Sequence, residues 1–412
     1  MKGILIIILL FPFYSEANEL AKIINKGLLY SIENKISDTE TEITEYKKNQ
    51  TAASYWPSLD LTAKSRTVNR GDSIDYIRDE DEDSMFNVNL RYTILDLARD
   101  SDYEATEISF KNAVLKNKIQ KEKTIFNIIN SYFNLWEKKK NKYYIKEYLD
   151  TINNLANKVK LRVNGGLSTE SDYIRAKVTQ DDARVRYENA DKELNEARIR
   201  LSYLIGENVD IVNNYEKSLK LPAFISENEV FSISPVIKML KKDMEIKEYG
   251  YQSAARERLP KLYIQGTYKE HFKKTKSPDT QVYLQLTIPV FDGGLITNKS
   301  KEAAAQIRVS EYKLQNAQRE LKKNYGEIRS TIEKEFKLQN IYLDNTNNAK
   351  KNIKLYDAEF TLGTRPLSDL ISAQRELLTA NLSETSSIKN YYIALAGIYN
   401  LYGNTIQSLD FM

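Results

Sequence analysis

The sequence predicts a mainly α-helical chain with a smaller β contribution, built from one helix–strand–strand–helix unit used twice. Three observations carry that prediction. First, Gly166-Leu-Ser-Thr-Glu-Ser-Asp172-Tyr-Ile-Arg-Ala176 is echoed by Gly363-Thr-Arg-Pro-Leu-Ser-Asp369-Leu-Ile-Ser-Ala373, and Leu-Ile-Gly206 by Leu-Tyr-Gly403. The copies stand about 197 residues apart (Gly166 to Gly363), too far for a solenoid repeat of roughly 20–50 residues. Second, two very long runs lack proline and read as helix. Third, a pair of segments ahead of each run alternates apolar with polar residues.

The amino-terminal segment reads as an export signal. Met1-Lys2-Gly3 is followed by apolar residues from Ile4 to Phe13 and by Ser15-Glu16-Ala17, which has small residues at the −3 and −1 positions of a cleavage site. A membrane anchor needs about 20 apolar residues, more than this stretch supplies. Residues 1–17 are therefore expected to be a signal peptide, and the chain to be exported.

Composition narrows the function classes. The chain has 412 residues and no cysteine, so it holds no disulfide and no thiolate metal site. His271 is the single histidine, which leaves little material for a triad or a zinc site. A formal net charge of +4 is too mild to argue for nucleic acid. No cofactor is expected and no enzyme activity. The 28 tyrosines suit surfaces that are apolar at one end and wet at the other.

Taken in order, a helical stretch through Glu45 to Ala53 is stopped at Tyr55-Trp56-Pro57, because proline lacks the helix donor and pushes its predecessor towards extended backbone. Leu59, Leu61 and Ala63 then alternate with Asp60, Thr62 and Lys64. After a polar loop, Phe86, Val88, Leu90, Tyr92 and Ile94 alternate with Asn87, Asn89, Arg91 and Thr93. The second copy has Pro260 as its breaker, then Leu262, Ile264, Gly266 and Tyr268 on one face. Its return strand places Val282, Leu284, Leu286 and Ile288 opposite Tyr283, Gln285 and Thr287. Such alternation describes strands with one apolar and one polar face.

Each hairpin feeds a long helix. From about Leu97 to Arg162 there is neither proline nor glycine, and Ile125, Ile128, Ile129, Tyr132 and Trp136 form a buried stripe. The second run, about Ile296 to Leu362, is interrupted only by Gly326. Some 65 residues at 1.5 Å rise make a rod of about 100 Å. Gly165-Gly166 and Gly363 break the rods, and a second helix returns with its own stripe, as in Ile388, Tyr391, Tyr392, Leu395, Ile398 and Tyr402.

A coiled-coil stalk with hairpin decorations does not explain four strands that share one continuous apolar face. Membrane β-strands of about 9–11 residues alternate in this way. Four strands alone would leave unpaired edges in lipid, and closure takes at least eight, so a spanning chain must oligomerise.

With these elements in place, the sequence resembles the TolC family of outer-membrane efflux and type I secretion channels. The resemblance runs from about Tyr30 to Gly403. It is carried by Leu259-Pro260-Lys-Leu-Tyr-Ile-Gln-Gly266, by Thr287-Ile-Pro289-Val-Phe-Asp292-Gly293-Gly294-Leu, by Leu362-Gly363-Thr364-Arg365 followed by Asp369, and by Tyr399-Asn-Leu-Tyr-Gly403. The first copy departs from the pattern: Thr93-Ile-Leu-Asp-Leu-Ala-Arg99 stands at its strand-to-helix junction, which must turn without glycine.

The resemblance implies a homotrimer whose twelve strands close a barrel in outer-membrane lipid, with long helical hairpins continuing it as a periplasmic α-barrel. It implies a passive exit duct of a Gram-negative cell. The partners would be a periplasmic adaptor (membrane fusion) protein and an inner-membrane pump of RND, ABC or MFS type. No nucleic acid is expected. The competing reading is a trimeric structural or adhesive surface protein with a coiled-coil stalk.

The same resemblance assigns candidate sites. The helix-to-helix turns Gly165-Gly166-Leu167-Ser168 and Gly363-Thr364-Arg365-Pro366 are expected to be the adaptor-docking tips. Asp369 and its counterpart Asp172 are candidates for the periplasmic aperture, with Ser372 where the family has a second acid. The alternative is that each aspartate caps a helix, and Thr169-x-x-Asp172 is a capping-box pattern. Arg365 is either a latch on a carboxylate or a solvated surface cation. Pro57, Pro260, Pro289, Asp292, Gly293 and Gly294 mark strand–helix junctions.

The loop Arg78-Asp-Glu-Asp-Glu-Asp83 is acidic, whereas Lys269, Lys273, Lys274 and Lys276 make the other loop basic. The two either attract one another across the mouth or are simply solvated. The expected segments are a signal peptide over 1–17, a first repeat over 18–210 and a connecting equatorial segment over 211–232. A second repeat over 233–403 and a short tail over 404–412 complete the chain. Within the repeats the β-hairpins fall at about 57–94 and 260–291, and the helical hairpins at about 97–204 and 295–402.

Overall fold

The computed structural model describes residues 19–65, 84–209, 211, 215, 219–271 and 277–411. The signal-peptide expectation, the acidic loop residues 78–83 and Lys273, Lys274 and Lys276 lie outside those residues. In chain order the elements are α1 (Glu19–Tyr30), α2 (Ile32–Ala53), β1 (Ser58–Lys64), β2 (Met85–Leu95), α3 (Leu97–Asn164) and α4 (Glu170–Ile205). There follow α5 (Glu227–Ile233), α6 (Pro235–Arg256), β3 (Lys261–His271), β4 (Asp279–Thr287), α7 (Leu295–Leu362), α8 (Leu367–Tyr402) and a 3-10 turn over Thr405–Phe411.

Helix lengths repeat between the copies: 22 residues in α2 and α6, 68 in α3 and α7, 36 in α4 and α8. The residues gather into two compact units, and each unit draws on both copies.

One unit, Ser37–Asn117 with Val236–Ala317, holds the sheet. Its strands run in the order β1-β2-β3-β4, every neighbouring pair antiparallel. The register places Leu59 opposite Leu90, Leu90 opposite Gly266 and Gly266 opposite Val282; the next row is Tyr92, Ile264 and Leu284. Directly opposed residues share a face, so the apolar sets of all four strands fall on one side and Asp60, Asn89, Thr267 and Gln281 on the other.

Within this unit the apolar side has no cover: Leu59, Leu61, Val282, Leu284 and Leu286 are all exposed. The alternation read for Ile94 is corrected. A register shift between Thr93 and Leu95 pairs Leu95, not Ile94, with Leu262, the signature of a bulge at the end of β2. Among the described residues the strands differ in length, from 7 residues in β1 to 11 in β2 and β3.

The junctions below the sheet use different chemistry in the two copies. After β4, Asp292 Oδ1 accepts from the Gly294 N–H (2.8 Å) and Oδ2 from the Ile296 N–H (2.7 Å), while Gly293 and Gly294 take φ of 64° and 89°. Those backbone bonds hold the Asp292 carboxyl below its ordinary value. Only glycine adopts such consecutive left-handed angles cheaply.

The first junction has no glycine, and Asp96 accepts instead from the Ala98 and Arg99 N–H groups (3.1 and 3.3 Å). Lys261 pairs with the same carboxylate at 2.9 Å. Arg99 donates to the carbonyls of Ser54 (3.2 Å) and Thr93 (3.1 Å) and lies 4.0 Å from the Tyr55 ring. Burial, reinforced by a 2.7 Å hydrogen bond to Asp100, pushes the Tyr55 hydroxyl up to about 12.

The other unit, Met1–Ile36 with Lys118–Pro235 and Gln318–Met412, is mainly helical among its described residues. Its centre is an aromatic knot. Phe133 stacks on Tyr392 at 4.9 Å, Tyr215 sits edge-on to Tyr132, Phe133 and Trp136, and the Tyr132 and Tyr215 hydroxyls meet at 3.0 Å. The stripe read from sequence (Ile125, Ile128, Ile129, Tyr132 and Trp136) is buried throughout. The segment after Gly403 is a docked element. Thr405 and Ser408 are fully buried, and the Thr405 N–H donates to Glu122 Oε2 at 2.7 Å.

Candidate functional site

Both helix-to-helix turns belong to the helical unit. At the first, Gly166 takes φ 70°, and the Leu167 N–H reaches back to the Arg162 carbonyl at 2.7 Å. This pattern closes a helix through a left-handed residue and satisfies carbonyls that would otherwise be orphaned. Helix α4 then starts on a complete capping box. Thr169 Oγ1 accepts from the Asp172 N–H, and Asp172 Oδ2 accepts from the Thr169 N–H, both at 3.2 Å. Leu167 stands out exposed at the turn.

The second turn is built otherwise. Gly363 takes φ 79°, and the Thr364 N–H donates to the Glu359 carbonyl at 3.1 Å. Pro366 occupies the N-cap of α8 without any side-chain cap bond. In its place Arg365 gathers the turn. Its Nε pairs with Glu359, its Nη1 with Asp369 Oδ2 at 3.1 Å, and its guanidinium lies 3.8 Å from the Tyr356 ring centre. The adjoining Glu359 carboxylate holds the guanidinium even further above its ordinary value. Ser368 adds a bond to Asp369 Oδ1 at 3.2 Å.

The predicted site residues therefore separate. Arg365 and Asp369 are in contact. Asp172 is engaged in its capping box. Ser372 is exposed in a polar groove with Asn345, Asn348, Asn352 and Arg375. Gly165, Gly166, Leu167 and Ser168 form the first turn; Gly363, Thr364 and Pro366 form the second.

Residues to which the sequence reading gave no role join the two hairpins beside their turns. Arg162, in the last turn of α3, donates from Nη1 to the Thr361 carbonyl (3.1 Å), from Nη2 to the Leu167 carbonyl (3.4 Å) and from Nε to Ser168 Oγ (3.2 Å). One turn earlier Lys158 reaches Asp357 (3.1 Å) and Thr361 Oγ1 (2.8 Å). Beneath them Ala156, Val159, Phe360, Leu367, Leu370 and Ile371 belong to one buried cluster. Each large side chain in it contributes about 1.5–3 kcal/mol by leaving water. The sequence signal for Arg162 was its place three residues before a Gly-Gly helix stop, where a cation meets the carbonyl end of the helix dipole.

Among the described residues no cluster of His, Asp or Glu is arranged to hold a metal ion, and no helix is long and apolar enough to cross a membrane.

Comparison with known proteins gives a consistent picture. The family model described as outer membrane efflux protein matches residues 40–207 and 231–404 separately. Outer membrane protein TolC of Vibrio cholerae serotype O1 is 24% identical over 163 residues, 37% of this chain and 37% of that protein. The alignment thus spans well under half of that relative's length. Among solved structures, the Campylobacter jejuni CmeC outer membrane channel superposes with a TM-score of 0.83 at 18% identity, covering 95% of this chain and 88% of that one. The open state of the Neisseria gonorrhoeae MtrE outer membrane channel gives 0.82 at 17% identity, covering 94% and 89%. At those identities the superpositions speak for the fold, and the family match, which takes in most of the chain, speaks for descent. The chain belongs to the outer membrane efflux protein family, the TolC type that its Pro-Val-Phe-Asp-Gly-Gly and Gly-Thr-Arg motifs resemble.

Proposed function

We propose that this chain is the outer-membrane exit duct of a tripartite efflux pump or type I secretion system, acting as a passive trimeric channel. The observation that carries the reading is the sheet. Its apolar rows share one uncovered face, its other face is polar, and β1 and β4 leave two open edges. A face of that kind matches lipid outside and water inside, and open edges in lipid are too costly to persist unpaired. Pairing β1 of one copy with β4 of the next removes every edge, and three copies give twelve strands.

Other features support the same assembly. Trp56 and Phe291, exposed just before β1 and just after β4, flank the same end of the sheet, where aromatic side chains suit a lipid headgroup boundary. Helix α4 leaves Ile174, Val178 and Val185 exposed, and α7 leaves Ile341, Leu355 and Leu362. The spacings, four and seven on α4 and fourteen and seven on α7, are those of a seam between helices. A second copy of the chain is the natural cover for both stripes. The stalk alternative offers no use for a polar face on the strands.

In this reading the helix turns meet the periplasmic adaptor, Asp369 narrows the aperture and Arg365 restrains it. Asp172 serves chiefly as a helix cap. Transport energy comes from the inner-membrane pump, which with its adaptor chooses the cargo. The assembly is tested by cysteine cross-linking, which is clean because the chain has no cysteine of its own. Thr62→Cys combined in turn with Gln281→Cys, Tyr283→Cys and Gln285→Cys should, for one pair, give an inter-chain ladder ending at three. Intrachain products alone, or a ladder running beyond three, would overturn the closed trimer.

A further inference from the structure

We propose that Arg162 is a positioning residue that couples the two helix turns, so that a protein docked on Gly165–Ser168 acts on Gly363–Asp369. The inference rests on the reading of these turns as the docking and aperture end. Its physical content is separate and stands on the geometry.

Three nitrogens of one guanidinium are committed to three acceptors, two on the first turn and one at the end of α7 just before the second. Nη2 and Nε hold the Leu167 carbonyl and Ser168 Oγ, both within the first turn. Nη1 holds the Thr361 carbonyl, in the last turn of α7 and two residues before Gly363. That carbonyl is among the four that a helix leaves without an intrahelical partner. The neighbouring carbonyls of Glu359 and Phe360 are satisfied from within the second turn, by the N–H groups of Thr364 and Gly363. Thr361 is served by the other hairpin. The Arg162 guanidinium also lies 5.0 Å from the Phe360 ring, so the contact has an aromatic floor.

The contrast with Arg365 sharpens the assignment. Its partners Glu359, Tyr356 and Asp369 all lie on its own hairpin. Arg365 stiffens the second turn but carries nothing to the first. Lys158 also reaches the end of α7, through Asp357 and Thr361 Oγ1, yet makes no bond to the first turn. Arg162 alone among these three bonds to both sides. A partner that reshapes the Leu167–Ser168 backbone withdraws two of its acceptors, and the cap on α7 then loses the geometry that holds it. A planar fork of fixed donors transmits such a displacement better than a flexible ammonium.

The test is hydrogen exchange on the full-length protein, read at the Gly363–Arg365 amides in four forms: unsubstituted, Gly166→Ala, Arg162→Met and both together. Gly166 has φ 70° and nothing within 4 Å of a built Cβ, so Gly166→Ala strains the first turn without touching the second. With Arg162 present, it should speed exchange at Gly363–Arg365 about tenfold, the effect of weakening one charge-assisted bond. With Arg162→Met, exchange there should already be fast and Gly166→Ala should add nothing. Arg162→Lys should behave like Arg162→Met, because charge without the fork cannot span three acceptors.

Exchange at Gly363–Arg365 that ignores Gly166→Ala, or the same increment with and without Arg162, would overturn the proposal. Should Arg162→Met fail to fold, Ser168→Ala removes one acceptor and should give a smaller shift of the same sign. None of these readouts depends on conduction, so a failure of the aperture reading would show separately, as unaltered conductance in Asp369→Asn.

Discussion

The two tips of this protein are the same piece of architecture made with different chemistry. Helices of 68 and 36 residues flank each turn, and a left-handed glycine breaks each long helix. At the first tip, Asp172 is consumed by a capping box with Thr169. At the second, no side chain caps α8, and Asp369 is held by Arg365. The first turn is thus a local solution to helix termination, complete in itself. The second relies on ion pairs at least partly open to solvent, which are weaker and exchangeable. A duplicated unit can in this way keep its fold while only one copy remains adjustable.

The sharpest thermodynamic break in that comparison is at the base of the turns. Phe360 is buried in the cluster shared by both hairpins, whereas Val163, its equivalent in the first copy, is only partly buried against it. Phe360→Ala should lower stability by about 3–5 kcal/mol, and Val163→Ala by about 1 kcal/mol, in denaturant unfolding of the detergent-solubilised protein. Equal losses would mean that the two copies contribute alike to the core.

Next in size is the capping difference. Thr169→Ala should cost about 1 kcal/mol, since it breaks the box at the start of α4. Pro366→Ala should be close to neutral, because Pro366 makes no side-chain cap bond. The reverse order would place the essential cap on the wrong tip.

A smaller effect distinguishes the strand–helix junctions. Asp292 carries a depressed pKa because backbone N–H groups bond its ionised form. Its contribution is complete at neutral pH and fades as pH falls below the ordinary carboxylate value and through the depressed one. Amide exchange at Gly294 and Ile296 should accelerate in that acidic window beyond its intrinsic pH dependence. Asp292→Asn should remove the extra acceleration.

Much of this was legible in the residues. Period-two alternation gave the strands, and the glycines at 166 and 363 gave the turns, because both patterns report local backbone requirements. Three things were not legible. The bulge before Leu95 is invisible to an alternation count, since Ile94 and Leu95 are equally apolar and only the pairing with Leu262 decides between them. The capping role of Asp96 is not marked either, because Arg99, and not Glu or Gln, stands at the position that would complete a capping box.

Arg162, Lys158 and Glu359 are single charges on long, charge-rich helices. Nothing local marks them, because their roles arise only when two hairpins from distant parts of the chain pack together. The candidate aperture residues stand between these cases: Arg365 and Asp369 were each visible beside the Gly363 helix stop, while their pairing, and Glu359 and Tyr356, which complete the clamp, were not.

A conducting channel restrained at its second tip is what the proposed function requires of this protein. Planar-bilayer recording of the purified full-length protein, with Asp369→Asn and Asp172→Asn beside it, tests this most directly. The expected result is discrete conductance steps in the unsubstituted protein, larger steps in Asp369→Asn and unchanged steps in Asp172→Asn. A stable lipid-inserted trimer that never conducts, or an equal response to both substitutions, would contradict it.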